Sequence, residues 1–425
     1  MTAEPTHSDA HDAPEIYVIR VKGYLSEGWR DWFEDISITA TDEAETLLTC
    51  PVVDQSALHG LLKKVRDLGL QLISVNRIDL SHEENPKMNA TMKAAIYTEY
   101  GSPDVLHITE MATPTPQDNE ILVHIQARSV NYGDLFARNF PAKKSSEFNM
   151  PGILLIAVRM SFGARKPKVQ IQGSEFAGDV VAVGKDVTKF KVGDKVFGYR
   201  GQAMGANAEY LSVSENSVVT HMPKNMTYAE AAVVPYGGIT AVNLLRKVNI
   251  QPGQKVLING ASGGIGAAAL QLAKHYGAEV TGVAGTRRQD YMKALGADHV
   301  IDYTREDFTQ NGETYDVIID ILGKSSFAKA RRSLKKQGRY LRASFKMREV
   351  WQALRTRFFG NKKVVVGLAA ENVGDLVEIR ELVEARTYKS VIDRYFPLEQ
   401  VAEAHRYIES GNKQGSIVIM TEGAA

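Results

Sequence analysis

The sequence predicts an α/β protein built around a doubly wound parallel sheet, with a second, β-rich region and a small α+β unit ahead of both. Three observations carry this. An apolar, partly β-branched run, Lys255-Val256-Leu257-Ile258-Asn259, enters a cluster of glycines, Gly260-Ala261-Ser262-Gly263-Gly264-Ile265-Gly266, and a small-residue and aliphatic segment over 267–274 follows. That order reads as strand, tight turn, helix. Further apolar runs near 279–283, 299–301, 316–320, 338–343 and 362–367 alternate with helical patterns, and six strands so spaced fill a doubly wound nucleotide sheet. Between 92 and 218 strand signals dominate instead, at 105–109, 120–126, 177–183 and 195–198, punctuated by glycine and proline.

Composition bounds the class. A chain of 425 residues is too long for one compact core. Its 44% hydrophobic and 24% charged content is ordinary for a soluble globular protein. The 51 Lys and Arg balance 50 Asp and Glu, so overall charge points neither to nucleic acid nor to an anionic membrane surface. With Cys50 as the one cysteine, intramolecular disulfides and zinc sites needing two or more cysteines are excluded, and a reducing cytoplasm is expected. Residues 1–14 are polar and lack the basic and apolar regions of a secretory signal, so a disordered tail is expected there. The most apolar segment, 151–158, is broken by Arg159 well short of the ~20 residues of a spanning helix, and no transmembrane segment is expected.

In chain order, residues 15–80 form the first unit. Alternation over 15–22 is a strand, Gly28–Phe33 places Trp29 and Trp32 on one face of a short helix, and 35–39 and 45–50 are strands. Leu58, Leu61, Leu62 and Val65 fall at helical spacing, and Leu70–Val75 closes with a strand. The order β-α-β-β-α-β is the ferredoxin-like split arrangement, whose function is not legible in the residues. Residues 81–91 read as a polar linker, and Met92 begins what resembles an independent protein, so the chain reads as a fusion. The tail from 391 to 420 mixes strand and helix and ends in the strand Ser416–Met420.

The glycine turn is the candidate dinucleotide site. Glycines there let the backbone approach a pyrophosphate, and the following helix offers unpaired N–H groups and a positive dipole end. Against G-x-G-x-x-G, Ala261 takes the first glycine position and Gly263 and Gly266 the others. A site for NAD places Asp or Glu about 20 residues on, at the ribose 2′-hydroxyl. Here no carboxylate stands between Glu279 and Asp290, and Thr286, Arg287 and Arg288 end the second strand instead. An arginine fork pairs with a 2′-phosphate, so the expected cofactor is NADP(H).

Several motifs in order, Asn131-Tyr132-Gly133-Asp134, Gly173–Gly178, Val192–Gly198, Pro235–Ala241, the 261–266 turn, Leu295–Tyr303 and Tyr315–Asp320, resemble the medium-chain dehydrogenase/reductases, and within them the zinc-free quinone-oxidoreductase-like branch. The resemblance covers about 92–425. It implies a GroES-like catalytic domain from 92–218 and 388–425, with a Rossmann domain, 219–387, inserted between. It implies that Tyr303 lies near adenine, Thr240 near the nicotinamide ribose, and Gly323 and Ser344 along the cleft. Zinc-dependent members carry Cys where Asn131 stands and His where Ser174 stands; both ligands are missing here, and no metal is expected. Enoyl-thioester reductases of the superfamily carry a Tyr shortly after the Asn-to-Asp motif, where this chain has Phe140-Pro141.

Without zinc the protein's work is positioning a hydride donor against an electron-poor carbon. Quinones and α,β-unsaturated carbonyls, small hydrophobic electrophiles, suit such a site. Asn131 and Asp134 are expected to orient substrate, carboxamide or local backbone; Tyr132, Tyr199 and Tyr236 are hydroxyls able to stabilise an enolate or to line the cleft wall. The apolar segment 148–168 is expected to cover the cleft. Three readings stay open: an NADPH-dependent reductase of quinones or enones, an alcohol dehydrogenase or ketone reductase of the same fold, and a non-enzymatic NADPH-binding sensor. The apolar run over 362–367 reads as an edge strand able to pair across a two-fold axis in a homodimer.

Overall fold

A computed structural model describes residues 15–23, 36–40, 45–52, 55–78, 90–142 and 150–421. The expected tail, the aromatic helix over 28–33 and nearly all of the linker lie outside the described residues. The chain divides into two compact units, Met1–Lys87 and Met88–Ala425.

In the first unit strands β1 (Glu15–Lys22), β2 (Ser37–Ala40), β3 (Glu45–Val52) and β4 (Leu72–Ile78) form an antiparallel sheet in the order β2-β3-β1-β4. This is the strand order that the split arrangement requires. Helix α1 (Gln55–Asp67) lays Leu58, Leu61, Leu62 and buried Val65 against Ile19, Val21 and Leu48. Cys50 is buried in the same core, which pushes its thiol up to about 11.

The second unit begins with the hairpin β5 (Thr91–Ile96) and β6 (His107–Ala112). Strands β7 (Glu120–Val130), β8 (Glu175–Val183), β9 (Lys195–Tyr199), β10 (Tyr210–Ser214) and β11 (Val219–His221) follow, with helices α2 (Tyr132–Arg138) and α3 (Gly152–Phe162) between β7 and β8. Close backbone approach makes β8 specific about glycine, since a Cβ on Gly178 would stand 2.1 Å from the His124 carbonyl oxygen of β7.

Helices α4 (Tyr228–Ala232) and α5 (Pro235–Val248) lead into the parallel sheet. Its strands are β12 (Lys255–Asn259), β13 (Glu279–Ala284), β14 (His299–Asp302), β15 (Tyr315–Asp320), β16 (Leu334–Arg342) and β17 (Lys363–Val366), in the order β14-β13-β12-β15-β16-β17. The connecting helices are α6 (Gly264–His275), α7 (Gln289–Ala294), α8 (Phe327–Ala330) and α9 (Met347–Phe358), and α10 (Val373–Glu384) follows β17. Side chains alternate across β12. Val256 and Ile258 pack with Leu245 of α5, Leu270 of α6 and Ile379 of α10, while Leu257 packs with Val283, Ile318 and Tyr340 on the other face. Burial on both faces is why β12 is a continuous apolar run over 256–258, whereas β16 carries the exposed Lys336 and Gln337.

The chain then returns through β18 (Ile392–Pro397), α11 (Val401–Glu409) and β19 (Ser416–Met420). Strand β19 lies between β7 and β18, completing the sheet order β11-β9-β8-β7-β19-β18, with β10 paired on β7.

A backbone contact as close as that at Gly178 is at the head of α6, where a Cβ on Gly266 would stand 2.1 Å from the Gly260 carbonyl oxygen. Gly266→Ala is therefore expected to lower stability by about 1–3 kcal/mol through overpacking. Urea denaturation checks this, and an unchanged midpoint would mean the turn can open without cost.

Candidate active site

The turn after β12 is built on Gly260, whose φ of +92° is left-handed backbone that a side chain disfavours. Its N–H donates to the Val283 carbonyl (3.1 Å), and its own carbonyl accepts from Gly263 (3.3 Å). Gly263 then caps α6 in extended conformation. Gly260, one residue ahead of the motif, makes the turn, while Ala261, Gly263 and Gly266 hold the three positions of G-x-G-x-x-G. Ala261 is wholly buried, its Cβ 3.3 Å from where one would stand on Gly282 of β13. Ser262 completes the turn between them. Absence of side chains at Gly263 and Gly264 leaves the first turn of α6 open to a cleft of about 1130 Å³, and Gly260 and Ile265 also line it.

The opposite wall comes from the end of β7 and the start of α2. Asn131 caps α2: its Oδ1 accepts from the Gly133 N–H (2.8 Å), and Asp134 Oδ2 accepts from the Asn131 N–H (2.8 Å). The remaining Asn131 amide hydrogens go to Ser174 Oγ (2.8 Å) and Glu175 Oε2 (3.0 Å). Glu175 also accepts from the Ser129 hydroxyl and, at 2.6 Å, from the Tyr236 N–H that opens α5. Asn131 thus presents hydrogen-bond donors to a carboxylate, not a lone pair to a metal, and this donor set does not fit zinc. Among the described residues no group of three or more His, Cys, Asp or Glu is placed to hold a metal ion.

Burial dominates the electrostatics. Asp134 is wholly buried, which pushes its carboxyl up to about 7 against the capping bond from Asn131, with the charge of Glu175 adding to the rise. Glu175 is pushed up by the same desolvation, opposed by its Ser129, Tyr236 and Asn131 donors. Lys413, also in the cleft wall, is pushed down by desolvation and by Arg288, with Glu175 pulling the other way.

Of the tyrosines, Tyr132 lines the cleft and is 57% exposed. Tyr236 lines it too, while Tyr199 does not, its ring centroid lying 6.1 Å from that of Tyr236. Burial pushes both Tyr199 and Tyr236 up, keeping them protonated.

Gly323 and Ser344 reach the cleft at the ends of β15 and β16; the Ser344 hydroxyl donates to the Ile321 carbonyl at 3.0 Å. Thr240, half-buried on α5, is not in the cleft wall. Neither are Thr286, Arg287, Arg288 and Tyr303, which sit together at the adjacent ends of β13 and β14. Thr286 Oγ1 donates to Asp302 (2.5 Å), and the Tyr303 ring borders Gly285. Arg288 donates to the Gly411 carbonyl (2.6 Å), and Arg287 approaches Asn412 Oδ1 (3.5 Å).

Sequence reasoning missed Glu175, Lys413 and Arg342 in the cleft wall. Glu175 had a signal, a carboxylate set directly before the apolar strand residues 176–177. Lys413 had none, because Gly411–Gly415 reads as an ordinary surface turn. The expected cleft cover over 148–168 is not observed either. None of its described residues lines the cleft, and α3 packs Val158 and Phe162 on Ala137, Phe140 and Met204.

Raised above its unfolded value near 4, the Asp134 carboxyl keeps its proton in the fold where the unfolded chain has released it. Its contribution to stability is therefore present at low pH and is lost as pH rises to about 7. Asp134→Asn should melt progressively higher relative to wild type between about pH 4 and pH 7 and hold a constant difference above that. Calorimetry across that range decides it; a pH-independent difference would show an ordinary carboxylate.

Comparison with known proteins matches residues 117–243 to the alcohol dehydrogenase GroES-like domain, residues 295–419 to the zinc-binding dehydrogenase family, and residues 16–76 to a domain of unknown function. The 2-methylene-furan-3-one reductase of Solanum lycopersicum is 32% identical over 77% of this chain and 79% of its own. A chloroplastic quinone-oxidoreductase of Triphysaria versicolor is 29% identical over 77% of this chain and 98% of its own. The solved quinone oxidoreductase from Coxiella burnetii superposes with a TM-score of 0.67 at 27% identity, covering 78% of this chain and 99% of that one. The relatives span both halves of the second unit, whose glycine turn and Asn131 cluster share one cleft, and the chain belongs to the medium-chain dehydrogenase/reductase superfamily, in its quinone-oxidoreductase-like branch.

Proposed function

We propose that this chain is a zinc-independent, NADPH-dependent oxidoreductase that transfers hydride to quinones or α,β-unsaturated carbonyl compounds. The observation that carries the reading is that the glycine turn and the Asn131–Glu175 cluster open onto the same cleft. The absence of a Cβ at Gly263 and Gly264 leaves room for a pyrophosphate beside the N-terminus of α6. Thr286, Arg287 and Arg288 would hold a 2′-phosphate, Tyr303 would flank adenine, and Thr240, Gly323 and Ser344 would border the nicotinamide end. When bound, the cofactor supplies a hydride equivalent.

The chain's own residues supply orientation and charge. Asn131 cannot rotate without breaking its bonds to Gly133, Ser174 and Glu175, so it fixes the floor against which a substrate packs. Tyr132 carries an exposed hydroxyl into the cleft and donates a proton to the substrate oxygen. Lys413 places a partly desolvated ammonium in the same wall, where positive charge stabilises a developing oxyanion. Val233, Ile265, Leu322 and Phe345 supply apolar wall for a hydrophobic acceptor. Strand β17, at the sheet edge, supports a homodimer through strand pairing, and the buried thiol of Cys50 suits a reducing compartment such as the cytoplasm.

Fluorescence titration with NADPH and NADH, followed by oxidation of the tighter binder with 1,4-benzoquinone and with an enone, tests the proposal. NADPH should bind more tightly, and Arg287→Gln with Arg288→Gln should raise its Kd at least about tenfold while leaving NADH unchanged. A preference for NADH would overturn the phosphate reading. Tyr132→Phe should lower kcat on the enone by about 100-fold with NADPH affinity unaltered; an unchanged kcat would assign the proton elsewhere.

A further inference from the structure

Helix α9 turns its widest apolar stripe outward. Met347, Trp351, Leu354 and Phe358 follow one another at spacings of four, three and four residues, which at 100° per residue gathers them within roughly 60° of the helix surface. That stripe is the pattern of a core-facing helix, yet all four side chains are exposed, Trp351 by 64% and Phe358 by 70%, and Phe359 beside them by 71%. The inward side sets small Ala353 on the core and is otherwise largely polar. Glu349 is buried against Arg342 (3.2 Å), and the Thr356 hydroxyl accepts from the Val364 N–H of β17 (2.9 Å). Lys363 ties off the C-terminus by donating to the Thr356 and Arg357 carbonyls.

Charge says what the exposed stripe faces. Lys346, Arg348, Arg355, Arg357, Lys362 and Lys363 lie between 346 and 363, where Glu349, on the inner side, is the only acidic residue. Lys346 and Arg348 fall on one flank or the other of the stripe, as do Arg355 and Arg357. The chain's overall balance of +1 hides this local excess. A second copy laid stripe against stripe, a contact separate from pairing along β17, would bring these cations against themselves, which repels. An anionic bilayer accepts both parts, the apolar side chains entering about 5–10 Å and the flanking cations meeting headgroups.

We propose that α9 is an interfacial anchor that docks the molecule on an anionic lipid surface. Phe345, Lys346 and Arg348 also line the cleft, so docking through α9 sets the cleft mouth beside the bilayer, where a lipophilic acceptor partitions. That last step rests on the reductase reading; the docking does not.

The test is co-sedimentation of the full chain with vesicles of phosphatidylcholine alone and of phosphatidylcholine mixed with phosphatidylglycerol, with no acceptor present. The protein should pellet with the mixed vesicles at low salt, be released as salt rises, and shift its tryptophan emission to the blue, a shift missing in Trp351→Phe. Trp351→Ser with Phe358→Ser, and separately Arg355→Gln with Arg357→Gln, should each weaken binding at least about tenfold, with NADPH affinity and turnover of a water-soluble enone kept. No pelleting, or equal pelleting by the variants, overturns the proposal. Conversion of a dimer to a monomer by the Trp351 and Phe358 changes overturns it too, giving the stripe to a second copy. Vesicle binding with no turnover of any acceptor would leave the docking standing and overturn the reductase reading.

Discussion

The approach of α6 to the end of β12 is the constraint on which the second unit depends. The Gly260 carbonyl sits where a Cβ of residue 266 would be, and the start of α6 is itself pressed by α5, since a Cβ on Gly237 would stand 2.8 Å from the Gly264 carbonyl oxygen. Two helices and a strand thus meet at a point with room only for backbone. From that meeting follow the open first turn of α6, the direction of α5, and the place of Tyr236 at its head. A single bulky residue there would push α6 off the sheet and close the cleft together.

Glu175 joins this frame to the antiparallel sheet. It belongs to β8, and its partners come from β7, from the cap of α2 and from the first turn of α5. A buried carboxylate is costly unless donors surround it, and here each donor comes from a different element. The cost of burial is offset only when all of these elements are in place, which makes the cluster a geometric clamp on the cleft as well as part of its wall.

Much of the frame was legible in the sequence because it is periodic. The parallel strands show mainly as apolar runs, since burial on both faces leaves few polar positions in the central ones, although β16 carries Lys335, Lys336 and Gln337. Asn131 and Asp134 were legible as a local pair, and the capping box gives the reason for their spacing. The glycine pattern at 261, 263 and 266 was legible in the sequence, while only φ shows that Gly260, just ahead of it, is the residue that turns. Lys413 was not legible, since its place in the cleft follows from β19 lying next to β7, some 290 residues earlier in sequence. The cleft cover drawn from apolar content over 148–168 failed for a related reason: hydrophobicity says that α3 packs on something, not on what. The stripe on α9 is the opposite case, a pattern that reads as core and yet faces outward.

Strand β19 has a further consequence, for the order in which the chain acquires its shape during synthesis. The parallel sheet is continuous in sequence and can close as soon as β17 has left the ribosome. The antiparallel sheet cannot, because β7 keeps an open edge until residues 416–420 arrive and β18 joins beyond them. Arg128 of β7 waits just as long for the Thr421 hydroxyl that accepts its hydrogen bond at 2.6 Å. Until β19 is made, then, the older half of the second unit is the unfinished half, and a ribosome that stops before β19 leaves a nascent protein with an intact nucleotide sheet and a β7 joined to β8 and β10 but still without β19 along part of its edge.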